Sequence, residues 1–214
     1  MSDVTIRNYH KEDRSAVRSI AWDTAFMGEP ASAFFASRET LESFLTLYFT
    51  DYEPESCFVA EAKGVVIGYL IGTKQSAALE EVFKGRILWP LLLGAIARGE
   101  CFNFKNLRFG FHSLVSLFNK EFRDPDVSRE YPATLHINLH REYRGRHIGS
   151  RLMSAYFDYL RSAHVRGAHL ATMSRHAAQF FEQQGFILLH QGRRSYFRYL
   201  LKKDVPIFIY GKKL

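Results

Sequence analysis

Cysteine is scarce in this sequence, and so are proline and tryptophan. The two cysteines, Cys57 and Cys101, lie in different segments. They are too few for a disulfide scaffold, and their spacing does not match a metal site. No linker rich in proline, glycine or serine, no internal repeat and no low-complexity tract divides the chain. We therefore expect a single domain over residues 1–214, placed in a reducing cytoplasm.

Long apolar runs are also missing. The longest one, over residues 87–97, is interrupted by Pro90 and falls well short of the roughly 18 residues that indicate a membrane span. The start, Met1 to Val4, lacks the charged-then-apolar pattern of a signal peptide. These absences predict a protein without a membrane partner.

Positive charge exceeds negative charge, with a formal net charge of +7. Such an excess suits an anionic partner such as a phosphorylated cofactor, a membrane surface or nucleic acid, although a solvated basic surface explains it equally well. No block of five like charges and no known nucleic-acid motif occurs. We therefore expect no nucleic-acid partner.

Periodicity predicts a mixed order of strands and helices. A short turn at Lys63-Gly64 joins two β-rich runs into a hairpin. The predicted strands cover residues 4–9, 57–62, 65–72, 133–139, 169–173, 186–190 and 196–201, with a further β-like run over 205–210. The predicted helices cover residues 10–22, 37–48 and 149–164, a short helix ending at 185, and a helical segment over about 74–132. This order indicates an α+β (mixed α/β) fold with a largely antiparallel sheet.

One stretch, residues 135–152, carries the clearest chemical signal. A strand runs into a basic loop, and the loop runs directly into a helix, so that unpaired N–H groups and the helix dipole favour an anion there. Gly145 and Gly149 allow close backbone approach to a phosphate, while Arg144 and Arg146 add charge. An ordinary strand-to-helix turn is the alternative interpretation.

The loop reads Arg144-Gly145-Arg146-His147-Ile148-Gly149 and resembles the Q/R-x-x-G-x-G/A signature of the GNAT superfamily of N-acetyltransferases, of the bacterial type. Residues 177–186 are similar to the family's A-x-x-F-Y-E-x-x-G-F helix. The first strand and the hairpin also fit the family. Residues 131–138 resemble, faintly, the acetyltransferase-like domains of some O-GlcNAc hydrolases.

The resemblance implies the GNAT fold, a central twisted sheet flanked by helices, with a helical insertion over about 74–132 between the third and fourth strands. That insertion is expected to shape or cover the acceptor site, with its aromatic side chains in the core. The implied cofactor is acetyl-CoA, and no metal is needed. The residues implied to bind the cofactor are Ile137, Asn138, Leu139, Arg144, Gly145, Arg146, His147, Ile148, Gly149, Ser150, Ser174, Phe180 and Phe181.

The implied activity is transfer of an acetyl group to a primary amine of a small molecule or protein by direct attack, in a monomer or homodimer. Two departures leave an alternative open. His147 replaces a motif glycine, and Phe181 stands where many members have the tyrosine that protonates the leaving thiolate. The alternative is a catalytically weak or inactive acetyl-CoA-binding domain that acts as a sensor or interaction module.

The catalytic candidates are His136, Asn138 and Ser174. His136, Asn138 and His140 share one face of the predicted strand, while its apolar residues share the other. The family pattern turns the apolar face toward the acetyl group, so a structural role for His136 is an open alternative. Other candidate bases are Glu61, Asp23 and the acidic residues at 51, 53 and 55, or a base acting through water.

Overall fold

Seven strands form one sheet in the computed structural model, which describes residues 4–214. The segment Met1–Asp3, part of the N-terminal stretch without a signal-peptide pattern, lies outside the described residues. The strands are β1 Val4–Asn8, β2 Cys57–Ala62, β3 Val65–Thr73, β4 Ala133–Leu139, β5 Gly167–Thr172, β6 Ile187–Arg194 and β7 Val205–Lys213. The helices are α1 Arg14–Thr24, α2 Arg38–Tyr52, α3 Ser76–Val82, α4 Leu88–Ala97, α5 Phe104–Phe118, α6 Ile148–Ser162, α7 Arg175–Gln183 and α8 Arg198–Leu201.

The strand order is β1-β2-β3-β4-β5-β7-β6. Every neighbouring pair is antiparallel except β4 and β5, which are parallel. The largely antiparallel mixed α/β sheet predicted from the sequence is therefore confirmed. The hairpin turn is confirmed too, with Lys63 and Gly64 both at positive φ, as the right-handed strand twist requires of a two-residue loop.

Helices cover both faces of the sheet. On one face α6 buries Ile148, Leu152, Tyr156 and Leu160, which recur every four residues and so form one stripe. On the other face α1 and α2 cover β2 and β3 with a second apolar cluster that includes Val17. The two layers leave β4 in the middle of the sheet, between the helices that build the site.

The prediction of a strand over residues 196–201 is wrong. Residues 198–201 form α8, and Phe197 is buried in an aromatic cluster with Phe34 and Phe109. The place beside β5 is taken by β7, which pairs with β5 on one edge and β6 on the other. Ring packing outside the sheet therefore overrides the local β propensity of this segment.

The segment between β3 and β4 contains α3, α4 and α5, as predicted. Its aromatic side chains are not the core residues that we expected. Trp89, Phe102, Phe104 and Phe111 are exposed, whereas Phe83 and Phe109 are half-buried. No helix within residues 4–214 is long and apolar enough to cross a membrane.

Candidate active site

A wedge opens between β4 and β5. The two strands pair only at Ala133 with Ala168 and at Thr134 with His169, yet β4 continues to Leu139. Across its other edge β4 stays paired with β3 along residues 134–139. Over residues 135–139 the backbone of β4 therefore has no strand partner on the β5 side among the described residues. Such a slot offers N–H and C=O groups to an extended, amide-containing chain.

The wedge ends at the start of α6. The amides of the loop and first turn, residues 145–150, donate no hydrogen bond to an acceptor within residues 4–214. Because α6 is fifteen residues long, its dipole reinforces these donors at the N-terminus. Free amides at a helix start form an anion site that fits a pyrophosphate.

His147 lies at the helix N-cap with φ of 59°. This left-handed conformation strains a residue that has a Cβ atom, although histidine tolerates it better than most. The side chain is exposed. The left-handed backbone explains why the motif has glycine at this position. This chain adopts the same backbone conformation with histidine, which strains the turn.

Gly149 serves packing. A Cβ atom there would lie 3.1 Å from the ring of Phe180 and 3.8 Å from Ile137. Its missing side chain lets Phe180 close against the helix start, and a role of Gly149 beside a phosphate stays a prediction. Gly145, at φ of 73° with open space around it, is the glycine that the turn itself requires.

The two loop arginines differ in role. Arg144 donates from Nε to the carbonyl oxygen of Leu139 at 3.1 Å and from Nη2 to that of Gly28 at 3.0 Å. It ties the end of β4 to the segment after α1 instead of offering its charge to an anion. Arg146 lies over the ring of Tyr143, 5.5 Å from its centroid, and is exposed. Arg146 is therefore the loop cation available for a phosphate.

The faces of β4 alternate as predicted. Ile137 and Leu139 pack against the α6 cluster, whereas His136 lies on the α1–α2 side. The His136 ring is 5.6 Å from that of Phe49 in an edge-on arrangement. His136 is open to solvent, yet desolvation by the surrounding protein lowers its pKa. It therefore lines a recess of the sheet.

Asn138 is next to His136 on the same face. Its Nδ2 donates to the hydroxyl of Tyr69 at 2.7 Å, and Tyr69 is buried with its pKa raised by desolvation. The bond fixes the amide and leaves its oxygen unbonded among the described residues. His140, which follows β4, is half-buried, and its backbone N–H donates to Ile67.

Two hydroxyl groups lie around the segment that follows β5. Ser174 caps α7, its Oγ accepting from the backbone N–H of Ala177 at 3.3 Å. Next to it, the Tyr196 hydroxyl donates to Sδ of Met173 at 3.2 Å, and burial raises the pKa of Tyr196 to about 12. Sequence reasoning missed Tyr196, because it lay in a segment predicted as a strand.

The two phenylalanines of α7 differ in their burial and in their contacts. Phe180 is half-buried against the helix start, and Phe181 is buried in the core beside Phe186. Neither ring carries a proton that could be donated.

The other candidate bases are held in local contacts. Glu61 pairs with Arg7 at 2.7 Å and Asp51 with Arg14 at 2.8 Å. Asp23 accepts from Ser19 at 3.5 Å. Glu55 pairs with Lys74, and Glu53 is buried among donors that include Thr73, Ser56 and Tyr48.

The loop, wedge and α7 coincide with a known domain. Residues 118–188 match the family model described as an acetyltransferase (GNAT) domain. This stretch of the chain is similar to that domain. The match runs from the end of α5 into β6, so it contains β4, the free amides of α6 and the cap of α7.

Solved structures agree with the GNAT fold along the whole chain. SsHAT is 21% identical, with 99% of this chain and 98% of that chain covered and a TM-score of 0.70. Drosophila melanogaster polyamine N-acetyltransferase, which catalyses the formation of N-acetylagmatine, is 18% identical over 99% of this chain and 100% of that one, with a TM-score of 0.64. The putative acetyltransferase yncA from Salmonella typhimurium, solved with its cofactor acetyl-CoA, is 15% identical over 100% and 95%, with a TM-score of 0.58.

Proposed function

We propose that this protein transfers the acetyl group of acetyl-CoA to a primary amine of a small molecule or a protein by direct attack. The observation that carries the proposal is the wedge between β4 and β5, which leads to the unpaired amides at the start of α6. Structurally similar proteins include a polyamine and an agmatine N-acetyltransferase, in keeping with an amine acceptor. We place the reaction in the cytoplasm, where the free thiols of Cys57 and Cys101 stay reduced.

The residues around the wedge fit acetyl-CoA. The β4 backbone at Ile137, Asn138 and Leu139 would hydrogen-bond the pantetheine amides. The free amides of residues 145–150 together with Arg146 would bind the pyrophosphate, whereas the Arg144 amide donates to the carbonyl oxygen of Arg141. Phe180 would line the arm, with Phe181 supporting it from the core. When bound, the thioester supplies an activated acetyl group. Holding it beside the amine removes the entropic cost of bringing the two together.

His136 is the proposed general base. Its lowered pKa keeps the imidazole neutral at pH 7, the form that accepts a proton from an incoming ammonium. It lies on the α1–α2 side of β4, opposite the side where α6 binds the pyrophosphate. Asn138, fixed by Tyr69, would position the amine through its side-chain oxygen. A proton relay through water in the recess fits the same geometry.

The departing thiolate needs a proton that Phe181 lacks. Ser174 uses an oxygen lone pair for its cap and donates no hydrogen bond to an acceptor in the described chain, so its hydroxyl proton is free to be shared with the sulfur. Tyr196, which already donates to a sulfur atom, is the second candidate. Should neither contribute, the phenylalanine favours the sensor or interaction module over the enzyme.

The first experiment is calorimetric titration with acetyl-CoA on wild type and two matched variants. Ser150→Asp puts a negative charge at the helix start, where it stabilises α6 but repels a pyrophosphate. Ser150→Asn matches the size of the aspartate without its charge, and its side-chain oxygen can accept the hydrogen bond from Gln184. We expect Ser150→Asp to weaken binding at least about tenfold and Ser150→Asn to change it little. Equal affinities of the two variants for acetyl-CoA would show that the pyrophosphate does not bind at the start of α6.

The second experiment measures release of free CoA with a panel of primary amines and peptide N-termini. Turnover that falls about a hundredfold or more in His136→Gln, with acetyl-CoA affinity unchanged, supports His136 as base. Ser174→Ala and Tyr196→Phe separate the two proton donors. Tight acetyl-CoA binding without turnover on any amine identifies the inactive alternative.

A further inference from the structure

Helix α5 is attached to the protein by a mostly polar side, which also carries the ring of Phe109 packed against Phe34 and Phe197. The two fully buried residues of its fifteen are Asn106 and Ser116. The Asn106 amide donates to Ser37 and to the carbonyl oxygen of Glu100, and its oxygen accepts from Ala36. Ser116 shares a hydrogen bond with Ser195. The outward face carries exposed apolar side chains at helical spacing: Phe104, Leu107, Phe111, Leu114 and Phe118.

Helix α4 continues the exposed apolar character. It contains no charged residue and no fully buried one. In the turn that follows, Phe102 is 83% exposed. We call the following exposed residues the α4–α5 apolar surface: Trp89, Leu92, Leu93, Ile96, Phe102, Phe104, Leu107, Phe111, Leu114 and Phe118. Soluble monomers rarely expose so many large apolar side chains in one segment, so this surface marks an interaction site.

Positive charge borders this surface. Residues 80–121 contain six lysines and arginines and four acids. Glu80 pairs with Lys84 and Glu121 accepts from Ser195, while Glu81 forms no ion pair in the described chain. Glu100 is engaged by Arg98 and Thr40. Arg86 and Lys120, near the two ends of the segment, form no ion pair within residues 4–214. The segment is therefore both apolar and cationic.

We propose that the α4–α5 apolar surface docks on an anionic lipid membrane, lying in its interface without crossing it, which departs from the expectation of no membrane partner drawn from the sequence. Apolar side chains enter the boundary between headgroups and acyl chains, while the bordering cations meet lipid phosphates. Trp89 is of the residue type that prefers this boundary. A second copy of the chain would bring like charges face to face, so the charge pattern favours lipid over self-association.

The test is flotation of the full chain with vesicles of phosphatidylcholine, with or without one third phosphatidylserine, in about 0.1 M salt. We expect the chain to float with the anionic vesicles and to be released by high salt. Phe111→Glu/Leu114→Glu should lose at least about tenfold in partitioning. Arg86→Gln/Lys120→Gln should lose about fivefold for each cation removed.

The matched control is Ile187→Glu, because Ile187 on β6 is 59% exposed and Leu114 is 55% exposed; its partitioning should equal that of wild type. Thermal melting and acetyl-CoA binding confirm that each variant is folded. No preference for anionic vesicles, or equal loss in the control, overturns the proposal. A wild-type dimer in sedimentation velocity that Phe111→Glu/Leu114→Glu dissociates, without vesicle binding, assigns the surface to a second copy instead.

Discussion

Helices α5 and α6 are both fifteen residues long and both amphipathic, yet they face the protein in opposite ways. The apolar stripe of α6 is buried on the sheet, with Leu152 and Tyr156 fully inaccessible to solvent. The apolar stripe of α5 points outward, and its buried positions are Asn106 and Ser116. One helix is therefore held by apolar burial along its whole stripe, and the other by hydrogen bonds and the single packed ring of Phe109.

The difference between α5 and α6 shows how much structural information an amphipathic sequence pattern carries. Spacing at three and four residues indicates a helix and separates its two faces. Which face turns inward depends on the surface that the helix meets. Helix α6 meets the apolar face of the sheet. Helix α5 meets mainly the backbone and hydroxyl groups around Ala36, Ser37 and Ser195. It places only Phe109 in the ring cluster with Phe34 and Phe197.

The largest expected loss of stability comes from a substitution in α6, the helix that depends on apolar burial. Leu152→Ala should lower the free energy of unfolding by about 2–5 kcal/mol, because the side chain is fully buried and its removal leaves a cavity. Urea denaturation measures the loss. Leu114→Ala on α5 is the matched control, and it should change stability by no more than about 0.5 kcal/mol. Equal losses at the two leucines would contradict the contrast between the helices.

A smaller loss is expected from the polar anchor of α5. Asn106→Ala removes one acceptor and two donor contacts at a buried position. We expect a loss of about 1–3 kcal/mol in urea denaturation, since its former partners are left unsatisfied. Leu107→Ala, one residue along on the exposed face, should leave stability nearly unchanged. A larger loss at Leu107 would mean that the outward apolar face also holds α5.

A gain is expected at the ends of α6, where His147 and His164 both have left-handed backbones. His147→Gly should raise stability by about 1 kcal/mol by removing the strain of the Cβ atom. His164→Gly, after the helix C-terminus, should give a similar gain. Thermal unfolding measures both, and acetyl-CoA titration distinguishes them, because only His147 borders the proposed pyrophosphate site. A change in affinity at His164 alone would argue against that site.

The smallest effect concerns pH. Desolvation lowers the pKa of His136 and of His169. Below pH about 6.5 the unfolded chain therefore takes up protons that the folded chain resists, and stability falls as the pH is lowered. His136→Gln should flatten this fall, as measured by urea denaturation from pH 7.5 to 5.5. The same change at the exposed His176 measures the effect of losing any histidine, and an equal flattening there would contradict the prediction.

Much of the site was predictable because its signals are local. The Arg144–Gly149 motif located the loop, and the alternation of β4 placed His136 and Asn138 on one face. The clamp from Arg144 to Gly28 was not predictable, since it joins residues more than a hundred positions apart. The contact of Phe180 with Gly149 and the placement of Tyr196 beside Met173 also depend on long-range packing.

The sequence by itself determined most of the order of the elements, the hairpin at Lys63-Gly64, the loop and helix start that we propose as an anion site, and the resemblance to acetyltransferases, because each depends on residues close together in the chain. Only the tertiary structure decided where β4 leaves β5, which face of α5 is buried and what the segment over 196–201 becomes. Those outcomes depend on which distant surface a segment meets. Local spacing does not contain that information.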